Sequence, residues 1–168
     1  WRAPDLQSGT TLIVSLPEGY QLAEEYEVWG PANLVYKHPE PLSITGQVVT
    51  DTLLVDLGKG KLDERKMRNI LVARDYGKPL IVSRPSFQSC VHVIDGRKPF
   101  LPLIENGQIS QSARYSRIDL IDTLAAPNQP PVEIFGPEPA KTWCYYYQKM
   151  ELALQTGDWQ QAADLADE

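Results

Sequence analysis

Apolar positions fall along this chain in two rhythms, one of short β-branched runs and one of helical stripes. The central stretch, residues 69–96, holds three compact runs, 70–73, 80–82 and 90–94. They are separated by Asp75-Tyr76-Gly77-Lys78-Pro79 and Ser83-Arg84-Pro85-Ser86. β-Branched residues bounded by Gly and Pro predict short strands. An earlier run, residues 10–16 (TTLIVSL), is closed by Pro17 and predicts a first strand. Its unbroken apolar character implies a strand covered on both faces. Between Gly46 and Gly58 a strand is expected over residues 52–57, and residues 58–61 (GKGK) read as an exposed turn. Residues 65–75 and 78–84 read as two strands joined as a hairpin through Tyr76-Gly77, giving an antiparallel section beside the first strand.

The helical rhythm appears at both ends. Leu22, Tyr26 and Trp29 recur at spacings of four and three, with Glu24, Glu25 and Glu27 between them. Gly30-Pro31 is expected to break this helix and to start a separate short one over residues 31–36. Residues 114–123 fit helix and strand equally, residues 128–131 read as a linker, and residues 132–135 are expected to dock against the core. Near the C-terminus, Trp143, Tyr146, Tyr147, Met150 and Leu154 form one stripe, and Trp159, Ala162, Ala163 and Ala166 form another. Gly157-Asp158 separates them, which predicts an αα-hairpin. Tyr145 falls off the stripe and is expected to be the exposed ring. The hairpin turn, Gly157-Asp158-Trp159 with Ala162, resembles that of a tetratricopeptide repeat, a unit that needs stacked neighbours.

These elements predict an α+β (or α/β) fold: a small mixed sheet of about four or five strands flanked by helices, with a C-terminal αα-hairpin. The expected division is an α/β core at 1–126, a Pro-rich linker at 127–139 and the hairpin at 140–168. An apolar fraction of 42% and a charged fraction of 23% are those of a folded protein. The net charge of −6 argues against general nucleic-acid binding, which needs surplus Lys and Arg. The chain opens at Trp1 rather than at an initiator methionine, and it closes inside a helical pattern. It is therefore expected to be a piece of a longer polypeptide.

Candidate chemistry is sparse. Cys90 and His92 stand two residues apart, on one face of a predicted strand. Zinc held by Cys90, His92, Cys144 and His38 is conceivable but has no recognisable spacing. A Cys–His nucleophile pair is opposed by the apolar setting of Cys90. Ser83, Ser86 and Ser89 lie near His92 without a GxSxG elbow. Asp75 and Asp95 read either as turn formers or, with His92, as a polar ligand surface. Tyr145, in the aromatic cluster with Trp143, Tyr146, Tyr147 and Trp159, reads as a partner or sugar-stacking ring. The pattern calls for no cofactor, no metal and no catalytic residue. Cys90 and Cys144 are either two small buried thiols or a single bridge closing a 54-residue loop.

Several short motifs together resemble the soluble C-terminal region of large multi-spanning bacterial membrane proteins, frequent in Chloroflexi-like bacteria. Their membrane part is similar to glycosyltransferases that use lipid-linked sugars. The matching residues are Trp1-Arg2-Ala3-Pro4 with Gly9-Thr10, Leu80-Ile81-Val82 followed by Pro85, and Ser89-Cys90-Val91-His92-Val93-Ile94-Asp95. They continue through Phe135-Gly136-Pro137-Glu138-Pro139, Thr142-Trp143-Cys144-Tyr145-Tyr146-Tyr147 and Gly157-Asp158-Trp159. The family carries cysteines at the Cys90 and Cys144 positions, so the resemblance favours the bridge and an oxidising, extracytoplasmic site.

It implies a non-catalytic extracytoplasmic domain joined to transmembrane helices of the same polypeptide, serving assembly or interaction, with the C-terminal helices as the surface for protein partners. The alternatives are an accessory domain of a membrane glycosyltransferase that helps bind a lipid-linked sugar or acceptor, and a structural subunit of a larger assembly.

Overall fold

The computed structural model describes residues 5–20, 25–36, 38, 42–67 and 69–167. The chain folds as α+β, in the order β1 (Asp5–Leu6), β2 (Thr11–Ser15), α1 (Tyr26–Val35), β3 (Thr45–Val48), α2 (Leu53–Lys59), β4 (Leu62–Met67), β5 (Ile70–Asp75), β6 (Pro79–Ser83), β7 (His92–Val93), α3 (Gly107–Ser112), two 3-10 turns (Ala113–Tyr115 and Ile118–Leu120), β8 (Ile121–Asp122), α4 (Val132–Phe135), α5 (Trp143–Thr156) and α6 (Trp159–Ala166). A four-stranded mixed sheet in the order β3-β2-β6-β7 forms the centre. β2 is parallel to both β3 and β6, and β7 runs antiparallel to β6. β4 pairs with β5, and β1 with β8, in two small antiparallel sheets.

Strand alternation splits the core between the two faces of the central sheet. On one face Ile13, Ile81 and Ile94 pack with Leu53 and Leu57 of α2, Ile109 of α3, Ala113 and Tyr76. On the other, Leu80 and the half-buried Leu12 and Val93 pack with Ala32 of α1, Ile44, Ile118, Leu120, Ile121 and Leu6. Leu152 of α5 joins this second face. The continuous apolar run of β2 has this double burial as its cause: successive side chains feed opposite cores. α1 crosses β3 at Gly46, where a Cβ would stand 2.6 Å from Val28 Cγ1. Only glycine permits that approach.

Several local expectations are corrected. α1 runs as one helix through Gly30-Pro31. Val28 and Ala32 are buried four residues apart. Asn33 Nδ2 donates to Trp29 O and Ile44 O, and Ile44 N donates to Asn33 Oδ1, which pins the helix to the segment before β3. These tertiary contacts offset the lost proline hydrogen bond. Leu22 lies outside the described residues. The strand expected over 52–57 is helix α2: Leu53 and Leu57 are buried at four-residue spacing, and Gly60 ends the helix in the left-handed conformation.

β5 and β6 do not pair as a hairpin; β5 pairs with β4, and β6 lies parallel beside β2. The turn at Tyr76-Gly77 thus passes between sheets, with Tyr76 OH donating to Gln47 Oε1 at 2.8 Å. Residues 132–135 form a four-residue helix with no buried residue, so they are not docked in the core.

The C-terminal αα-hairpin is present. Gly157 ends α5 in the left-handed conformation, and the Asp158 side chain accepts from Gln161 N at the start of α6. The buried side chains are Ala153 and Ala162, small enough for close helix approach. Trp143 and Leu154, the ends of the expected α5 stripe, are exposed while Tyr146, Tyr147 and Met150 are half-buried; of the expected α6 stripe Ala162 is buried and Trp159, Ala163 and Ala166 are exposed.

Candidate functional site

β2 leads on one side through α1 to β3, whereas β6 leads on the other side to β7. The connections therefore diverge at the carboxyl ends of two adjacent parallel strands, the place where open sheets present polar groups. Ser15 and Ser83 are paired there, both buried. The β6–β7 register sets His92 opposite Ser83. Glu105, just before α3, reaches into this edge. Its Oε1 accepts from Ser83 Oγ at 2.9 Å and from Asn106 N at 2.8 Å, and its Oε2 lies 3.3 Å from His92 Nε2. The last contact is close but poorly aligned, an electrostatic contact rather than a hydrogen bond.

Burial pushes the Glu105 carboxyl up, but His92, the Asn106 N–H and the Ser83 hydroxyl outweigh it and hold the group below the usual carboxylate range. Glu151 of α5 behaves in the opposite way: burial raises its carboxyl, and the nearby His92 offsets this only in part. The arrangement is a Ser–Glu–His chain with the carboxylate in the middle. The serine hydroxyl donates to Glu105 and not to an imidazole, so the Ser–His pairing of a Ser-His-Asp triad is not made at Ser83.

Cys90 and Cys144 form a disulfide with Cα atoms 5.2 Å apart, joining the entry of β7 to the start of α5. Both sulfurs are thereby taken, which removes them as zinc ligands. Among the described residues no group of three or more His, Cys, Asp or Glu side chains is placed to hold a metal ion. Beyond the bridge, Gln155 Nε2 donates to Val93 O, and Arg97 Nη2 donates to Gln155 O. α5 is thus fixed to the edge strand at both ends.

Asp75, His92 and Asp95 do not converge. Asp75 N donates to Thr11 Oγ1 at the start of β2, and Asp75 Oδ1 accepts from Gly77 N. His92 sits at the other end of the sheet, opposite the last residue of β6. Asp95 accepts from Arg97 through Nε, Nη2 and the backbone N–H, which holds its carboxyl below the usual range. Both aspartates shape turns.

Tyr145 is half-buried, which corrects its reading as the exposed ring. Lys149 Nζ and Lys141 Nζ stand 4.8 Å and 5.5 Å from its ring centroid. It borders a cavity of about 250 Å³ with Lys141, Tyr146, Gln161, Asp164 and Leu165. The exposed rings of the hairpin are Trp143 and Trp159, each 70% exposed.

Two features escaped the sequence. Glu105 lies in a Pro-rich connection with no motif around it; the only local signal was Asn106, whose side chain caps α3. Arg74 is 1% exposed and forms an ion pair with Glu25. Alternation along β5 buries Val72, Arg74 and Tyr76 together, and no pattern marks which of the three is charged for a reason. Among the described residues no helix is long and apolar enough to cross a membrane. Comparison with protein-family models, with characterised proteins and with solved structures finds no match.

Proposed function

We infer that the chain is a non-catalytic, extracytoplasmic domain of a bacterial membrane protein, serving assembly or interaction. The observation that carries this is the Cys90–Cys144 bridge, which leaves no free cysteine. Such a bridge persists where thiols are kept oxidised and is rare where glutathione and thioredoxin reduce them. The resemblance to soluble regions of multi-spanning membrane proteins supports the same location. Trp143 and Trp159, exposed on the helical hairpin, support a contact role, because exposed aromatic rings are enriched where proteins meet. The experiment is thiol alkylation of protein trapped in its own cell, then denatured without reductant. No free thiol is expected before reduction and two after it; two free thiols before reduction overturn the location.

A second reading, an accessory domain of a membrane glycosyltransferase that helps bind a lipid-linked sugar or acceptor, draws on one observation. The exposed Trp143 and the half-buried Tyr147 form a tilted ring pair 5.5 Å apart, the kind of platform on which a sugar ring stacks. Tryptophan fluorescence titrated with neutral oligosaccharides tests it. A response lost in Trp143→Ala supports it, and no response overturns it.

A further inference from the structure

The connection between β7 and α3 carries an apolar, basic tip. Phe100 is 80%, Leu103 106% and Ile104 62% exposed, three large apolar side chains within five residues. Leu103 stands clear of its surroundings. Leu101 alone turns back and packs on the core, against the face that holds Ile81 and Ile109.

The tip is held in shape. Gly96 N donates to Ser116 O, Lys98 N to Asp95 O and Glu105 N to Pro102 O. A Cβ on Gly96 would overlap the Ser116 carbonyl, so this close seating depends on glycine. Pro99 and Pro102 stiffen the segment between. The outward side chains are therefore presented by a fixed loop, with little ordering left to do on binding.

Charge is segregated at the same place. Residues 96–104 hold Arg97 and Lys98 and no carboxylate, in a chain of net charge −6. The two carboxylates that bracket the segment are turned inward: Asp95 is buried and Glu105's side chain is 1% exposed. Arg97 is engaged by Asp95, whereas Lys98 is exposed and has no ion-pair partner among the described residues.

We propose that this tip is a membrane-contact loop: Phe100, Leu103 and Ile104 enter the acyl boundary of a bilayer, and Lys98 meets anionic headgroups. A convex apolar tip with a basic flank matches that interface, where apolar burial and attraction to anionic lipid act together. A groove on a protein partner would also take the apolar side chains, but the exclusion of exposed carboxylate from the tip favours an anionic surface. Vesicle binding by this loop needs no particular compartment, so membrane contact and extracytoplasmic location succeed or fail separately.

The test is flotation of the purified 168-residue chain, bridge intact, with vesicles of phosphatidylcholine alone or mixed equally with phosphatidylglycerol. The chain is expected to float with the mixed vesicles, and added salt is expected to weaken binding. Leu103→Ser and Phe100→Ser each lower the affinity about tenfold, the scale of one exposed apolar side chain withheld from the bilayer. Lys98→Glu weakens binding to the mixed vesicles more than to phosphatidylcholine. Absence of flotation with both vesicles, or flotation unchanged in Leu103→Ser, overturns the proposal. So does sedimentation showing self-association that Leu103→Ser abolishes while vesicles remain unbound.

Discussion

Cys90 and Cys144, 54 residues apart in sequence, clamp the start of α5 against the entry to β7. Closing a loop of that length removes unfolded-state entropy worth about 4 kcal/mol on the chain-entropy model. Cys90→Ser with Cys144→Ser is expected to lower the urea midpoint accordingly, and reductant is expected to shift the parent protein alone. Equal midpoints for oxidised and reduced protein would show that the Gln155 contacts hold α5 unaided.

Glu105 and Glu151 both feel the charge of His92 and carry opposite signs of pH dependence. Glu105's carboxyl is held below its ordinary range in the fold, so its stabilisation is present above the unfolded carboxylate pKa and is lost as pH falls through the lower folded value. Glu151's carboxyl is raised, so its contribution is full in acid below the unfolded pKa and is lost as pH rises through the folded value. At neutral pH, Glu105→Gln is expected to destabilise by about 1–3 kcal/mol, as for a broken charged hydrogen-bond set. Glu151→Gln is expected to stabilise at neutral pH, with the gain vanishing in acid. Denaturation curves across the carboxylate range check both; parallel profiles for the two variants would contradict this assignment.

Gly46 meets Val28 at the crossing of α1 over β3. Gly46→Ala forces a methyl into that contact and is expected to cost about 1–3 kcal/mol through overpacking. Val28→Ala on the same chain should restore part of the loss, because it vacates the clashing atoms. Thermal unfolding of the single and double variants measures the coupling, and additive losses would place the strain elsewhere.

Arg74 and Glu25 form an ion pair in which the arginine side chain is fully enclosed. Glu25→Ala strands that charge and is expected to cost up to about 3 kcal/mol, somewhat below the range for wholly buried pairs because Glu25 keeps partial access to water. Replacing both, with Arg74→Met and Glu25→Gln, should recover most of it. A double variant as unstable as Glu25→Ala alone would show that Arg74 is needed for more than its charge.

Features whose causes are local were legible in the residues alone. β2 was legible because a β-branched run stopped by Pro17 has few alternatives. The αα-hairpin was legible because Gly157 and Asp158 act on their own neighbours, one through a left-handed backbone and the other through a side-chain cap. His92 could be singled out beside Cys90, but its partners could not.

The remaining features depend on contacts between segments distant along the chain. Leu53 and Leu57 fit a strand or a helix until α3 lies beside them. β6 became the parallel neighbour of β2 because pairing is a choice between distant segments, and a turn signal such as Tyr76-Gly77 bends the chain without naming its partner. Glu105 joined Ser83 and His92 through contacts across 22 and 13 positions, separations at which neither periodicity nor spacing carries information. The exposure of Phe100, Leu103 and Ile104 was equally hidden, since an apolar residue in a sequence declares a preference for burial, and only the packed fold shows that no core is left to receive it.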